Sequence, residues 1–475
     1  MNASPHWPNR GVGRRDFLVA STVGLAGLST QGSILSANTA SGSGSGTARS
    51  TILFFLCGGS SHIDMWDLKP KAPLEYRGEF MPIATSAPGV MLSEHLPLLA
   101  KQAHHLTLIN SVRGTVNTND HHAGYYHNLT GHVPDVTFLT LGNNRTPYPD
   151  DWPYMGCVVA AKRPQRDGIP NAITLPYKPS QLPYTRPGQF AGKLGIKFDP
   201  LYVYGNRKKT TEFKAPDLVL SSDVPSKRLF SREELLTQFD SARRDLDQIS
   251  TVKSWNGQHD RAVSMLATSK AMDAFDVSKE SPETLARYGD SVNCMSLLAA
   301  RRLVEIGVPF ITVFWSEEDE TVSKKCLSGG GWDTHGNNFN CLKENLLPEF
   351  DQGFSALIED LHDRSLLDST MLMVTTEMGR TPKIGDVRSG GKVGAGRDHW
   401  THCLTDVLAG GGLRGGQTYG SSDRLAEYPA DKPVTPAHVA KTVYHAMGIH
   451  DLESFDREGR PINLLAEGEP LVELF

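Results

Sequence analysis

The chain has 475 residues, of which 39% are hydrophobic, 21% are charged and 8% are aromatic, and its formal net charge is −5. A chain of this length and composition can bury a large core, as one big domain or as two smaller ones. The slight negative charge argues against a nucleic-acid-binding protein, because contact with the phosphate backbone requires clustered lysine and arginine, and basic runs such as 207–209 are short.

The N-terminal segment predicts export. Arg14 and Arg15 precede a short apolar stretch, rich in glycine, alanine and serine, that ends near Leu28. Paired arginines before such a stretch are typical of a twin-arginine export signal. The stretch is shorter than the roughly 20 apolar residues that span a bilayer, so we expect no stable transmembrane anchor.

We interpret residues 1–46 as this signal followed by a Gly/Ser linker, with cleavage between residues 35 and 40, and 47–475 as a single folded domain. The mature protein is then periplasmic or lies in the cell envelope of a bacterium. Because twin-arginine export moves proteins that are already folded, often with a cofactor in place, the signal also favours a bound metal.

The six cysteines are scattered and show no C-x-x-C spacing, so neither a disulfide framework nor a structural zinc site is predicted. Cys326 and Cys341 could form a bridge in an oxidising compartment. We favour the interpretation that the cysteines are small buried residues or free thiols.

Four apolar runs predict strands of a parallel sheet, because they lack the polar alternation of strands with one face in water. The runs are 50–59, 104–112, 308–315 and 369–379. Apolar residues recur at helical spacing over 232–249, 258–277, 284–306 and 340–365. Alternating strands and helices predict an α/β fold with a mostly parallel central sheet flanked by helices. We interpret the segment 133–230, rich in Pro, Gly and Tyr, as excursions covering one end of the sheet.

Acidic and histidine residues follow the end of each predicted strand. Ligands in open α/β sheets bind beyond the carboxyl ends of the strands, so loops there can bring such side chains together. The groups in chain order are Ser60, Ser61, His62, Asp64 and Asp67, then Asp120, His121, His122 and His127, then Asp333 and His335, and finally Glu377, Asp398 and His399. Carboxylates and imidazoles bind Zn, Mn and related divalent ions, so the pattern predicts a metal site. The alternative is that these are separate packed or surface residues.

A site with two such ions would support in-line displacement at a phosphorus or sulfur ester. Arg380 and Arg397 follow Glu377 in the chain and could bind the oxygens of a tetrahedral anion. For either arginine, a salt bridge to a local acid such as Asp386 or Asp398 is at least as good an interpretation as anion binding.

Several motifs together resemble the uncharacterised family DUF1501. They are "FLCGGSSHIDMWDLKP", "YGDSVNCMSLLAARRLVEIGVPFITV", "GGWDTHGNN", "LLDSTMLMVTTEMGRTPKI", "GRDHW", "LAGGGLRGGQTYGSSD" and the closing "PVTPAHVAKTVYHAMGIHD" with "GRPINLL". The resemblance covers 47–475. The family is grouped with the alkaline phosphatase superfamily, which includes sulfatases, and this implies a three-layer sandwich with a metal site at the carboxyl edge of its sheet.

The resemblance also implies roles for particular residues. It implies that the metal ligands are Asp64 (or Asp67), Asp333, His335, Glu377 and His399. Met378 stands where the superfamily has a histidine after its strand-end acid, which puts a second metal in doubt. His121 or His122 would serve as an acid/base group or an extra ligand.

The nucleophile stays open between Ser60 or Ser61, Thr130 and a metal-activated water, and the C-x-P-x-R motif of sulfatases is absent. The leading hypothesis is an exported hydrolase that depends on a divalent ion (Zn, Mn or Ca). Its expected substrates are small-molecule or polymer-borne phosphate esters, with sulfate esters as the second choice. The alternative is a catalytically inactive envelope binding or scaffold protein with the same fold.

Overall fold

The computed structural model describes residues 46–114, 120–166, 169–179, 185–215, 273–317, 330–385 and 396–475. All of them belong to one compact unit, Ser43–Phe475. The predicted export signal, the predicted helix 232–249 and most of the predicted helix 258–277 lie outside the described residues. No helix among the described residues is long and apolar enough to cross a membrane.

An eight-stranded sheet lies at the centre of the fold. Its strands in chain order are β1 (Ser50–Phe55), β2 (Leu106–Val112), β3 (Ala172–Leu175), β4 (Leu201–Tyr202), β5 (Phe310–Phe314), β6 (Thr370–Thr375), β7 (Leu404–Gly410) and β8 (Gln417–Tyr419). Their order across the sheet is β8-β2-β7-β6-β1-β5-β3-β4. Strand β7 is antiparallel to both of its neighbours, and every other adjacent pair is parallel. The predicted mostly parallel sheet is therefore confirmed, and β1, β2, β5 and β6 end at the same edge.

Helices flank this sheet. In chain order they are α1 (His62–Met65), α2 (Leu74–Arg77), α3 (Pro97–Lys101), α4 (His121–Thr130), α5 (Val136–Leu141), α6 (Met155–Lys162), α7 (Pro282–Tyr288), α8 (Val292–Glu305), α9 (Asn338–Cys341), α10 (Leu347–Asp363) and α11 (Pro436–Ala446). A short π-helical stretch, Leu342–Leu346, joins α9 to α10. Short two-stranded ladders pair Pro82–Ala84 with Met91–Ser93, Tyr204–Asn206 with Lys209–Lys214, Gly379–Arg380 with His399–Trp400, Ser421–Ser422 with Pro429–Asp431, and Glu453–Phe455 with Pro461–Asn463.

Consecutive residues of β1 show that the fold has three layers. Phe54 packs on Phe350 and Phe354 of α10, with ring centroids 5.8 and 6.4 Å apart. Phe55 packs on Tyr125 of α4 at 4.6 Å. Neighbouring side chains of a strand point to opposite faces, so α10 and α4 cover opposite faces of the sheet. Every residue of β1 is buried, which explains why its sequence lacks polar alternation.

Three features differ from the sequence-based expectations. The segment 133–230 contributes β3 and β4 to the sheet, where only covering excursions were expected. The predicted helix 284–306 is two helices, α7 and α8, because Gly289 adopts a φ of 99° after α7. Cys341 is disulfide-bonded, whereas free thiols were favoured; Cys57, Cys157, Cys294 and Cys403 are free, and Cys326 lies outside the described residues.

A buried acid in β7 leads to a prediction about stability. Burial raises the pKa of Asp406 to about 7, against a weaker opposing hydrogen bond from Thr375. Below pH 4 the folded and unfolded states both hold the proton; above it only the unfolded state releases it, so stability falls until about pH 7. At about 1.4 kcal/mol per pKa unit, the penalty above pH 7 is on the order of 4 kcal/mol. We expect Asp406→Asn to be more stable than wild type at pH 8, with the difference vanishing near pH 4.

Urea unfolding at pH 4.5, 6 and 8 measures this effect. The exposed Asp363 provides a control, and Asp363→Asn is expected to change stability by no more than about 0.5 kcal/mol at each pH. Equal effects of Asp406→Asn at pH 4.5 and pH 8 would contradict the prediction.

Candidate metal centre

Four chain segments bring titratable side chains to the carboxyl edge of the sheet. His121 is the first residue of α4, which follows β2, and Asp333 with His335 lies in the loop after β5. Glu377 lies two residues beyond the end of β6. His399 is aligned with Arg380 in the short ladder that pairs Gly379–Arg380 with His399–Trp400. The sequence pattern predicts that these segments follow strand ends, and the structure brings them together at one site.

Three imidazole rings converge on the carboxylate of Asp333. Its Oδ1 lies 2.8 Å from Nε2 of His335 and 3.0 Å from Nε2 of His399, and its Oδ2 lies 3.5 Å from Nε2 of His121. The ring of His399 stands between the other two, with centroids 4.6 Å from each. Asp333 is nearly buried, at 7% relative exposure.

The donor set fits a divalent cation. Within the described residues, His121, Asp333 and His399 form one group whose ligand atoms all lie within 4.8 Å of one another, and His335, Asp398 and His399 form another. In a tetrahedral site with bonds of about 2.0–2.1 Å, ligand atoms lie about 3.3 Å apart. The Nε2–Oδ distances of 2.8 to 3.5 Å are close to that spacing. Asp333, His121 and His399 could hold an ion with little movement, and His335, which is grouped with His399 but not with His121, would join them after a shift of its ring.

Two further carboxylates orient the rings from behind. Asp398 Oδ1 lies 2.8 Å from Nδ1 of His335, and Glu377 Oε1 lies 2.9 Å from Nδ1 of His121. A carboxylate on the second ring nitrogen fixes the tautomer and leaves Nε2 available, which is the usual arrangement around a metal-binding histidine. Glu377 is thus placed behind His121 and belongs to neither of the two ligand groups, although the resemblance implied a ligand role.

Electrostatic interactions keep the buried carboxylates of the cluster ionised. Burial alone would raise the pKa of Asp333, but the Arg380 guanidinium and hydrogen bonds from three histidines outweigh it and hold this pKa well below its usual range. Burial would likewise raise the pKa of Glu377, and the hydrogen bond with His121 lowers it instead. Burial opposes protonation of His335, yet hydrogen bonds to Asp333 and Asp398 raise its pKa to about 9. The carboxylates of Asp333 and Glu377 are therefore ionised at neutral pH, and a cation bound here would displace the proton of His335.

Arg380 ties the loops of the site together. It is fully buried and donates to the carbonyl oxygens of Gly58, Gly59, Trp332 and Arg397 and, at 2.6 Å, to Oδ1 of Asp333. Those acceptors come from the loops after β1 and β5 and from the segment before His399. The arginine predicted to bind an anion is instead ion-paired within the protein, where it positions Asp333.

Asp64 and Arg397 form a separate buried ion pair. Both side chains are fully buried, and Nε and an Nη of Arg397 donate to the two carboxylate oxygens of Asp64 at 2.7 and 2.9 Å. Ser61 Oγ and Asn338 Nδ2 donate to the same carboxylate at 2.6 and 3.0 Å. The remaining N–H groups of Arg397 contact the carbonyl oxygens of Tyr76, Thr381 and Pro382. Asp64 is in neither ligand group, and Arg397 is paired inside the protein.

The other candidates near β1 and α1 are also placed by the structure. Asp67 accepts a hydrogen bond from Lys69 at 2.7 Å and another from Ser422. Nε2 of His62 lies 2.9 Å from the carbonyl oxygen of Ala426. Neither side chain is part of a ligand group.

Most of the chain matches one known family. The model of the family DUF1501, described as a protein of unknown function, matches residues 48–475. This chain belongs to the DUF1501 family. No curated protein matches it by sequence.

Solved structures similar to this DUF1501 chain include a hydrolase, a sulfatase and a saccharide-bound protein. The phosphonate monoester hydrolase SpPMH from Silicibacter pomeroyi is 11% identical over 89% of this chain and 76% of its own, with a TM-score of 0.40. The sulfatase PsFucS1 from Pseudoalteromonas sp. is 10% identical over 85% and 68%, with a TM-score of 0.37. Ps i-CgsB in complex with k-i-k-neocarrahexaose is 12% identical over 89% and 75%, with a TM-score of 0.40.

Two of the hydroxyl groups considered as nucleophiles in this DUF1501 chain, those of Ser61 and Thr130, are engaged in structure. Ser61 donates to Asp64, and Thr130 donates to the carbonyl oxygen of Tyr126 at 2.6 Å and accepts from the backbone of His132. Ser60 is buried beside Thr376. Burial also raises the pKa of the Cys57 thiol to about 12, so this side chain is not a thiolate at neutral pH. Ser60 and a metal-activated water are the candidate nucleophiles that remain.

Two neighbouring histidines of α4 lie away from the cluster. His122 contacts the carbonyl oxygen of Arg145 at 2.8 Å through Nδ1, and burial lowers its pKa to about 4. Burial lowers the pKa of His127 to about 3. Both rings are therefore neutral packing residues, and His121 is the residue of this loop that reaches the site.

Sequence reasoning gave Asp398 no role as a ligand and did not mention Arg186, which lies 3.7 Å from Glu377 Oε1. Asp398 precedes His399 in "GRDHW", and its adjacency to a predicted ligand was a usable signal. Arg186 comes from the loop region between β3 and β4, in a segment without periodicity, and no pattern in the DUF1501 sequence pointed to it.

Close packing of α4 on Glu377 leads to a prediction for this DUF1501 protein. A Cβ on Gly124 would lie 2.4 Å from the carbonyl oxygen of Glu377. Alanine would gain about 1 kcal/mol in helix propensity, but displacing backbone typically costs more, about 1–3 kcal/mol. We expect Gly124→Ala to lower the melting temperature by several degrees and to weaken metal binding, because His121 moves with the helix. A raised melting temperature would show that helix propensity dominates and that the contact is loose.

Proposed function

We propose that this protein is an exported, metal-dependent hydrolase of phosphate esters. The convergence of three Nε2 atoms on the Asp333 carboxylate, at the carboxyl edge of a parallel sheet, is the observation that carries the proposal. The proposed ligands are Asp333, His121, His335 and His399.

A bound divalent cation would supply Lewis-acid polarisation of a phosphoryl oxygen and would lower the pKa of a coordinated water. The protein's own contribution is to hold four ligand atoms at fixed positions. Asp398 and Glu377 set the tautomers of His335 and His121, and Arg380 fixes the orientation of Asp333. These supporting contacts prearrange the centre, so little reorganisation is needed when substrate binds.

Solvent access supports a catalytic role over a purely structural one. The side chains of His335, His121 and His399 are 20%, 14% and 11% exposed. A catalytic site needs a position open to water or substrate, so a centre with all four proposed ligands would take one by expanding to five-coordinate geometry. Rings that reach solvent are accessible to an incoming ion and to an ester.

Phosphate is proposed ahead of sulfate as the substrate group. The C-x-P-x-R motif that supplies the modified cysteine of sulfatases is missing from the sequence. The buried Cys57 thiol, with its pKa raised to about 12, offers no replacement. A water nucleophile is consistent with hydrolysis of a small or polymer-borne phosphate ester.

Export to the periplasm or cell envelope is part of the proposal. The paired Arg14 and Arg15 before an apolar stretch support it. The disulfide at Cys341 is independent support, because disulfides persist in oxidising compartments and are rare in the cytosol. Fractionation of cells that express the full-length chain tests it, with the double variant Arg14→Lys, Arg15→Lys as the comparison. Retention of both forms in the cytoplasm would refute export.

Elemental analysis followed by a substrate panel tests the enzymatic proposal. We expect the purified protein to hold a divalent metal and to hydrolyse an aryl phosphate or phosphodiester faster than an aryl sulfate. Chelation should abolish turnover, and adding Zn²⁺ or Mn²⁺ should restore it. Metal without turnover on any ester would instead favour the inactive binding or scaffold protein, since the hydroxyl groups of Ser61 and Thr130 are engaged in structure.

A further inference from the structure

The proposed reaction requires a cation to receive the substrate's anionic group. Arg380 and Arg397 are fully buried, and each guanidinium is engaged with carbonyl and carboxylate oxygens of the protein. Arg186 differs from them, because its side chain is 19% exposed while it lies close to the site. A phosphate arriving from solvent can approach the exposed part of this side chain, whereas Nη1, the nitrogen nearest Glu377, is buried.

The position of Arg186 is set by α4. Its Cζ lies 4.4 Å from the centre of the Tyr125 ring, and one of its terminal nitrogens lies 3.7 Å from Glu377 Oε1. Tyr125 is four residues after His121, so the two side chains occupy one face of the helix. Arg186 therefore stands on the same helix face as a proposed metal ligand and beside the carboxylate that orients that ligand.

The backbone that carries Arg186 is packed tightly against α4. A Cβ on Gly188, whose φ is 84°, would lie 2.6 Å from Cα of Tyr126. The Gln189 side chain donates to the carbonyl oxygen of Arg186 at 2.8 Å. These contacts fix the backbone of Arg186 against the helix, and stacking on Tyr125 places its guanidinium.

Glu377 is well supplied with other hydrogen bonds. Its Oε1 accepts from the backbone N–H of Gly58 at 2.7 Å and lies 2.9 Å from Nδ1 of His121. The 3.7 Å separation from Arg186 is an ion-pair distance longer than a hydrogen bond. The carboxylate attracts the guanidinium to the site, but its hydrogen bonding is provided by other groups.

We infer that Arg186 is the residue that binds the anionic phosphoryl group of the substrate beside the metal centre. This inference rests on the proposed function and names the residue that recognises its substrate class. A planar guanidinium can donate two parallel hydrogen bonds to two oxygens of a tetrahedral anion, which lysine cannot do. Stacking on Tyr125 orients that plane before the anion arrives.

The test combines binding and kinetics in the metal-loaded protein. The variants are Arg186→Met, which keeps length without charge, and Arg186→Lys, which keeps charge without the planar group. Arg457→Met is the matched control, because Arg457 is 35% exposed and pairs with Asp150 at 3.0 Å. Metal content, melting temperature, inorganic phosphate affinity by calorimetry, and KM and kcat for an aryl phosphate are measured for each.

We expect Arg186→Met to weaken phosphate binding and raise KM by roughly 10- to 100-fold, which is the usual range for a charge-assisted hydrogen bond. Arg186→Lys should recover part of the affinity, and Arg457→Met should match wild type. Metal content should be unchanged in all variants, which separates anion binding from a role in building the metal centre.

Three outcomes would overturn the inference. The first is that the wild-type protein binds phosphate and turns over, and Arg186→Met has the same phosphate affinity and KM. This result would refute the role of Arg186 and leave the hydrolase proposal standing. Loss of metal from both Arg186 variants would make the residue part of the metal support. A wild-type protein that neither holds metal nor binds phosphate would refute the proposed function and this inference with it.

Discussion

Replacing Asp333 with asparagine is expected to lower metal affinity by at least about 100-fold and to abolish turnover. Asp333 is the one residue that all three imidazoles of the centre share, at Nε2–Oδ distances of 2.8, 3.0 and 3.5 Å. Loss of a carboxylate that only orients a ligand typically costs about 10–100-fold, so loss of the shared ligand should cost more. Asparagine keeps the shape of the side chain but removes the negative charge that attracts the ion. Competition with a chromophoric chelator measures the affinity.

The exposed Asp368 gives a matched control for this substitution. Asp368→Asn should leave metal content and turnover unchanged. Circular dichroism should show both variants folded, because Arg380 retains its contacts with four backbone carbonyl oxygens when Asp333 is changed. Full metal content with normal turnover in Asp333→Asn would contradict the proposed centre.

Arg397→Met is expected to destabilise the protein by about 3–5 kcal/mol. The substitution leaves the carboxylate of Asp64 fully buried without its cationic partner, and removing one member of a buried ion pair typically has a cost of this size. It also leaves the carbonyl oxygens of Tyr76, Thr381 and Pro382 without their donor. The free energy of unfolding from urea titration measures the effect.

A double-mutant cycle separates the ion pair from a role at the metal. Asp64→Asn removes the charge that Arg397→Met leaves uncompensated, so the double variant should be less destabilised than the sum of the two single variants predicts. Metal content of the folded protein should be retained in all three. Unchanged stability together with lost metal or lost phosphate binding would restore the roles that the sequence first suggested for Asp64 and Arg397.

The central strands could be predicted from the sequence because each is a continuous apolar run. Strands covered on both faces need such runs, and β1, β2, β5 and β6 were found on that basis. β3 and β4 are only four and two residues long, within a stretch dominated by Pro, Gly and Tyr, so no periodicity could reveal them. The antiparallel direction of β7 depends on how the chain connects it to the preceding strand, and no local sequence pattern predicts it.

The metal cluster could be predicted in part because strand ends meet at one edge whatever the loop lengths are. That rule placed Asp333, His335, His399 and His121 in one region. It could not tell a ligand from a buried ion-pair partner, and Asp64 and Arg397 show why. They are 333 residues apart in sequence, and both types of residue occur in metal and anion sites as well as in salt bridges. Only coordinates distinguish these uses.

Anomalous X-ray diffraction from crystals of the metal-loaded protein, recorded at the absorption edge of the bound element, tests the central claim most directly. The account predicts a peak within about 2.0–2.2 Å of an Asp333 carboxylate oxygen and of Nε2 of His121, His335 and His399. A fully loaded protein whose only peak lies elsewhere, or one with no peak at these four residues, would contradict it.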